Sequence, residues 1–379
     1  MMKIFSPFSI LWLSLLFFSM MACQSKNQQN TAALFTHFYG ANLQQPGGSL
    51  YVAQQGEPIE DYSFGLADME KEKPNSSELK YRMASVSKHF TAYAIYTLIR
   101  EGKLDLDTKI TEVLKGMNPV YEQVRVGMLL NHTSGILDYE GLMKEGLSEQ
   151  LSDADVFALV KDQDTTYFKP GTAFRYSNTG FCLLTLVVEQ ISGRPYADFM
   201  KEAVFEPKGI DAKIYEAAHP PLIRAFGYHP DKEGQFRFAD QSLTSATKGD
   251  GGVYISPEQF SKWSLYLMEE YNDDTPYARL LEKNKMEVTQ DVYYSMGWFL
   301  LRDQEGDLIL AHSGETTGFH NIVVLEPKKK ESISLFTNRD DLKIAPAFEE
   351  VLKRYAVKLK AVRPTLFNFF AQIYQDDLP

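Results

Sequence analysis

Ser85-Val86-Ser87-Lys88 stands where one sequence pattern gives way to another, and the fold is read outward from it. Upstream, Ser49–Gln54 and Tyr62–Ala67 carry the β-rich pattern of two hairpin strands, separated by the turn-forming run Gln55-Gly56-Glu57-Pro58. A second turn, Pro74–Ser77, follows. Downstream, Phe90, Ala94, Leu98 and Ile99 fall at helical spacing, and Gly102 supplies the stop. Ser85 therefore opens an apolar-faced helix directly after a strand-and-turn unit.

Beyond that helix, residues 104–247 read mainly as helices and loops, with Gly180–Ile191 a strongly apolar helix stopped by Gly193 and Pro195. Ser256-Pro257-Glu258-Gln259 is a helix start, with Ser as N-cap, Pro at the first helical position and Gln closing a capping box. Strand patterns return at Met296–Leu301, Leu308–His312, Asn321–Leu325 and Ile333–Phe336, and a last helix is expected over Ala345–Ala356. Strands at both ends with helices between them predict an α/β protein, an α+β sandwich. Its antiparallel sheet is built from both termini, with flanking helices and an all-helical inserted lobe. A cleft is expected where that lobe meets the sheet. The expected divisions are a targeting segment over 1–22, a tether over 23–34, one folded domain over 35–360 and an aromatic-bearing tail over 361–379.

Composition narrows the function classes. Of 379 residues, 44% are hydrophobic and 23% charged, a globular balance. The net charge of -11 argues against nucleic acid as a partner, because phosphate binding needs a basic surface. Lys3 followed by the apolar run Phe5–Met21 fits a signal-peptide core, shorter than the roughly 20 residues of a spanning helix. A large apolar residue, Ala22 and then Cys23 resemble a bacterial lipobox, so Cys23 is expected to be lipidated and the protein exported and held at a membrane surface. The other cysteine, Cys182, lies in an apolar run and reads as an inert core thiol.

The chemistry rests on side chains that become meaningful together. On a helix, positions i and i+3 share a face, so the Lys88 amine can lie beside the Ser85 hydroxyl. A serine hydroxyl is a weak nucleophile until a base takes its proton, and a desolvated lysine can be that base. Two other Ser-x-x-Lys matches exist, at Ser77 and Ser245, but one sits in a turn and the other before a glycine-rich loop. Tyr176-Ser177-Asn178 offers a phenol to relay or accept the proton and an amide to hold substrate or orient Lys88. Taken alone, it reads as an ordinary turn. His312-Ser313-Gly314 ends a strand. Gly314 would let substrate lie along the strand edge, and the Glu315 backbone N–H could pair with that of Ser85 as a two-donor oxyanion hole. The seven histidines show no His-Glu-x-x-His spacing, so neither a metal nor another cofactor is expected.

In that order, Ser85-x-x-Lys88, Tyr176-x-Asn178 and His312-x-Gly314 resemble the three motifs of class C β-lactamases and related penicillin-recognising serine hydrolases. Leu129–Gly135, Pro170–Asn178 and Gly251–Ser256 extend the likeness from about Phe35 to Tyr355. The resemblance implies Ser85 as nucleophile, Lys88 and Tyr176 as the proton-transfer pair, Asn178 as a substrate contact and His312 as an orienting group. His132 would support the cleft wall. Enzymes of this class usually carry Lys where His312 stands, and a titratable His holds a substrate carboxylate less firmly. Small esters, amides or D-amino-acid peptides are therefore expected as substrates ahead of β-lactams or D-Ala-D-Ala. Any residual β-lactam hydrolysis is expected to rise as pH falls through a His312 titration. The alternative from another class is a penicillin-binding sensor that acylates and stops, or an inactive homologue.

Overall fold

A computed structural model describes residues 29–214, 222–271, 274–360, 362 and 365–375. Lys3, Cys23 and the apolar run before it lie outside the described residues.

Eight antiparallel strands form the main sheet, in the order Met286–Thr289, Val292–Ser295, Trp298–Arg302, Leu308–Thr316, Phe319–Glu326, Glu331–Thr337, Gly48–Gln54 and Glu57–Phe64. The two ends of the chain meet where Gly48–Gln54 pairs with Glu331–Thr337, with Leu50 opposite Leu335. The sheet is thus built from both termini, as the pattern predicts. The first hairpin differs in its limits: the second strand ends at Phe64, and Leu66–Asp68 pairs separately with Lys73–Pro74. The Gly65 carbonyl instead accepts from the Asn75 N–H at 3.0 Å, which turns the chain out of the sheet.

Strand alternation divides the core in two. Leu310, Val323, Leu325 and Phe336 face one cluster with the helix Lys88–Arg100 and the helical lobe. Ile309, Ala311, Ile322, Val324 and Leu335 face a second cluster with the helices Ile344–Arg354 and Leu366–Gln375. The lobe packs Asn178–Ser192 between Lys88–Arg100 and Asp153–Val160. Ser152 and Asp155 close a capping box at the start of Asp153–Val160. Ser256 does cap Pro257–Glu270, but Gln259 closes no box there, since its side-chain carbonyl accepts from the Asp211 N–H at 3.1 Å.

Three boundaries move. The expected lobe of 104–247 is not helical throughout: it contains the strands Lys213–Ile214, Tyr228–Pro230 and Phe236–Phe238. The last two form a hairpin whose two ends are joined by the buried Arg224–Asp240 ion pair at 2.6 Å. The expected tether of 23–34 overlaps a helix over residues 29–39, because Phe35 and Tyr39, one turn apart, both bury against Phe64. The expected tail of 361–379 joins the second core cluster, since Leu366, Phe367, Phe369 and Phe370 give Leu366–Gln375 an apolar face.

Candidate active site

Ser85 sits in a 3-10 turn, Ala84–Ser87, that runs into the helix Lys88–Arg100. The turn is clamped by three hydrogen bonds, two with Val253 and one with Asn321. Met83 N–H donates to the Val253 carbonyl at 2.9 Å, Val253 N–H donates to Ser87 Oγ at 3.0 Å, and Asn321 Nδ2 donates to the Arg82 carbonyl at 2.7 Å. Ala84 is held at φ 48°, a left-handed conformation unusual for a residue with a Cβ, immediately before the serine. Gly314 explains how the neighbouring strand comes so close. A Cβ there would lie 2.2 Å from the Met83 carbonyl oxygen and 3.2 Å from the Ser85 nitrogen. The glycine therefore makes room for the turn that carries Ser85, where substrate had been expected to need the space.

Lys88 is fully buried, and its amine makes three hydrogen bonds: to Ser85 Oγ at 3.0 Å, Asn178 Oδ1 at 2.7 Å and the Asp250 carbonyl at 3.1 Å. Burial lowers its pKa from 10.5 to about 8, with the Asp250 carboxylate opposing the shift. At pH 7 about one amine in eleven is then neutral and able to accept a proton.

Asn178 is fixed from its other end by Glu140, whose Oε1 accepts from Nδ2 at 2.8 Å. Burial raises the Glu140 carboxyl pKa, and the hydrogen bond from Asn178 opposes that rise. Tyr176 lies over Lys88, with the amine 4.9 Å from its ring centroid. Its phenol oxygen is buried and makes no ordinary hydrogen bond among the described residues. Burial drives its pKa well above 10, the Ser85 hydroxyl acting in the opposite sense. A phenolate is therefore costly here, which leaves the neutral Lys88 amine as the base available near neutral pH and suits Tyr176 to passing a proton. His132 supports this arrangement from behind: its Nδ1 accepts from the Ser177 N–H at 3.1 Å, and its ring lies 4.4 Å from that of Tyr176.

The His312 expectation is corrected. The side chain is completely buried, and burial together with the Lys88 charge lowers its pKa to about 3. Nδ1 sits 2.5 Å from the Ser313 carbonyl, which can only accept, so Nδ1 carries the proton and Nε2 can accept from Tyr294 Oη at 3.3 Å. A neutral, buried imidazole offers no titratable cation to a substrate carboxylate. The expected rise of β-lactam hydrolysis through a His312 titration therefore loses its physical basis.

Ser85, Asp138, Glu140, Tyr176, Asn178, Glu315 and Tyr374 line one cleft of about 320 Å³. Three of these are carboxylates, and Asp138 is paired with Arg175 at 3.4 Å. Glu315, whose side-chain direction was open in the sequence, borders this cleft, with Oε2 3.9 Å from His320 Nε2. Glu140, Asp138 and Tyr374 were missed. Asp138 and Glu140 follow the Leu129–Gly135 stretch closely enough to have drawn attention, whereas nothing local in the sequence connects Tyr374 to Ser85. The rival serines are elsewhere. Ser77 Oγ donates to Asp61 at 2.7 Å, Ser245 Oγ accepts from the Ser242 N–H at 2.8 Å, and neither borders the cleft. Cys182 is buried, with its thiol pKa raised by burial. A larger cavity of about 560 Å³ lies at Asp68–Lys71, Phe226 and the Tyr228–Phe238 hairpin, and it contains none of these residues.

With this geometry in view, likeness to known proteins becomes informative. The family model described as Beta-lactamase matches residues 32–353. A penicillin-binding protein of Bacillus subtilis is 26% identical over 78% of this chain and 69% of its own length. A D-aminopeptidase of Brucella ovis is also 26% identical, over 76% of this chain, and the match spans only 55% of that enzyme. The crystal structure of a penicillin-binding protein from Bacillus halodurans superposes with a TM-score of 0.74 at 25% identity, covering 86% of this chain and 98% of that one.

Proposed function

The chain belongs to the β-lactamase family of serine hydrolases, and from that premise we propose that Ser85 forms an acyl-enzyme with small amides, esters or peptides bearing a free ammonium group. D-amino-acid amides and peptides head that class, in keeping with the related D-aminopeptidase. Ser85 Oγ attacks the carbonyl carbon while its proton passes to the neutral Lys88 amine, directly or through the Tyr176 hydroxyl. The backbone N–H groups of Ser85 and Glu315 are the intended donors to the developing oxyanion. As the C–N or C–O bond breaks, the proton returns to the leaving group. Water then attacks the acyl-enzyme with the same groups acting in reverse, and Ser85 is regenerated. Asn178 holds the acyl side chain or orients Lys88, and His312 stays a neutral structural group beneath the site.

The observation that carries this reading is the acidic lining. Asp138, Glu140 and Glu315 border the cleft with Ser85, and since Asp138 is paired with Arg175, Glu140 and Glu315 supply its acidic surface. Such a surface attracts an ammonium and repels the carboxylate that β-lactams and D-Ala-D-Ala peptides present. D-Alanine p-nitroanilide, its N-acetyl derivative and a chromogenic cephalosporin form the test. Removing the ammonium by acetylation should lower kcat/KM roughly tenfold, the equivalent of about 1.4 kcal/mol. Preference for the acetylated compound or for the cephalosporin would overturn the reading in favour of β-lactam or D-Ala-D-Ala processing. Export and anchoring through lipid on Cys23 complete the proposal, supported by the residues that precede that cysteine.

A further inference from the structure

The Leu366–Gln375 helix lies beyond residues 32–353, the stretch the family model covers, yet it contributes a wall of the cleft. Its anchoring is plain. Phe369 and Phe370 are buried against Phe299 of the sheet, with centroids 5.6 and 5.0 Å away. Tyr374 stands one turn beyond Phe370, and their rings are stacked at 6.1 Å. Its hydroxyl is tied to the strand that carries the third motif. Ser313 Oγ donates to it at 3.0 Å, and it reaches the Ser313 carbonyl and His312 Nδ1, each at 3.4 Å. Its ring stops 4.7 Å from that of Tyr176. Two held aromatic rings therefore meet beside Ser85 in a cleft of only about 320 Å³, at the small end for a ligand pocket.

We infer that Tyr374 is a specificity-determining residue whose ring limits the size of the group that can enter the cleft beside Tyr176, restricting the enzyme to small substrates. Three features favour this over a merely structural role. The buried anchors of the helix are Phe369 and Phe370. The Tyr374 side chain is only partly buried and borders the cleft. Its hydroxyl hydrogen bonds fix the ring against the Ser313 backbone, so the wall is rigid. The inference rests on the proposed Ser85 acyl-enzyme.

The test compares the rates at which methyl and octyl fluorophosphonates label Ser85 in the full-length protein, read by intact mass and peptide mapping. Tyr374→Ala should raise the octyl-to-methyl rate ratio roughly tenfold or more, the discrimination expected of a pocket wall. Tyr374→Phe, which keeps the ring stacked on Phe370 but loses its bonds to Ser313, should change the ratio by no more than about twofold, and Tyr374→Trp should lower it. A merely structural role would slow both reagents alike and leave the ratio unchanged. A ratio within twofold of wild type in Tyr374→Ala overturns the inference, as does an equal change in Tyr374→Phe. If Tyr374→Ala fails to fold, Tyr374→Trp decides alone, and an unchanged ratio there is a refutation. Absence of Ser85 labelling in the wild type by either reagent would instead remove the acyl-enzyme reading and this inference with it.

Discussion

Raising the pH from 6 to 9 should increase the rate constant for acylation by a neutral ester roughly ninety-fold, with a plateau above pH 9. The figure follows from Lys88, whose pKa burial brings down to about 8. About one amine in a hundred is neutral at pH 6, about one in eleven at pH 7 and about ten in eleven at pH 9. A lysine at its ordinary value would keep the rate climbing tenfold per unit past pH 9. The Asp250 carboxylate holds the Lys88 pKa up against burial. Asp250→Asn should therefore move the inflection down by about half a unit to one unit, or about 0.7–1.4 kcal/mol, while the backbone carbonyl still accepts from the amine. The assay is stopped-flow release of p-nitrophenol from p-nitrophenyl acetate, with the Ser85→Ala rate subtracted at each pH. Because the ester does not titrate, the curve belongs to the free enzyme. A flat profile between pH 6 and 9, a slope that continues to pH 10, or an upward shift in Asp250→Asn would refute the assignment of Lys88 as base.

Lys88→Met should lower acylation at least a thousandfold with little loss of stability. The buried charge costs the folded state about 3 kcal/mol below pH 8, which offsets the donors lost by Asn178 and Asp250. Because the folded pKa lies below the unfolded value of 10.5, wild-type stability should rise relative to Lys88→Met between pH 8 and 10.5, measured as paired Tm values. Gly314→Ala forces a Cβ to within 2.2 Å of the Met83 carbonyl and displaces the Ser85 turn. It should cost about a hundredfold in kcat/KM and roughly 1–3 kcal/mol in urea unfolding, and near-normal activity would show that the turn has room to move. Cys23→Ser should release the protein from the membrane fraction or stall its processing, and a wild type fully soluble on fractionation would refute lipid anchoring.

What the sequence revealed and what it hid divide along the range of the interactions. The hairpin, the Ser85 helix, the apolar Gly180–Ile191 segment and the late strands were legible because burial on one face imposes a period of 2 or 3.6. The edge strand Met286–Thr289 and its neighbour Val292–Ser295 were missed, since each is only four residues long and so short an alternation does not stand out from a loop. Ser85 and Lys88 come together as their i, i+3 spacing suggested, and Tyr176 and Asn178 join them as the family resemblance implied. The His312 environment could not be read, because its burial depends on Tyr294, Phe299 and Phe370, which arrive from distant segments. Tyr374 was hidden for the same reason: it stands 61 residues past Ser313 in the chain, on a helix that brings it to the cleft.

The central claim is that one serine among three matching patterns is the nucleophile, and intact-mass measurement after treatment with a fluorophosphonate tests it most directly. The wild type, Ser77→Ala and Ser245→Ala should each gain one adduct that maps to Ser85, and Ser85→Ala should gain none. An adduct that persists in Ser85→Ala, or disappears in Ser77→Ala or Ser245→Ala, would contradict the account.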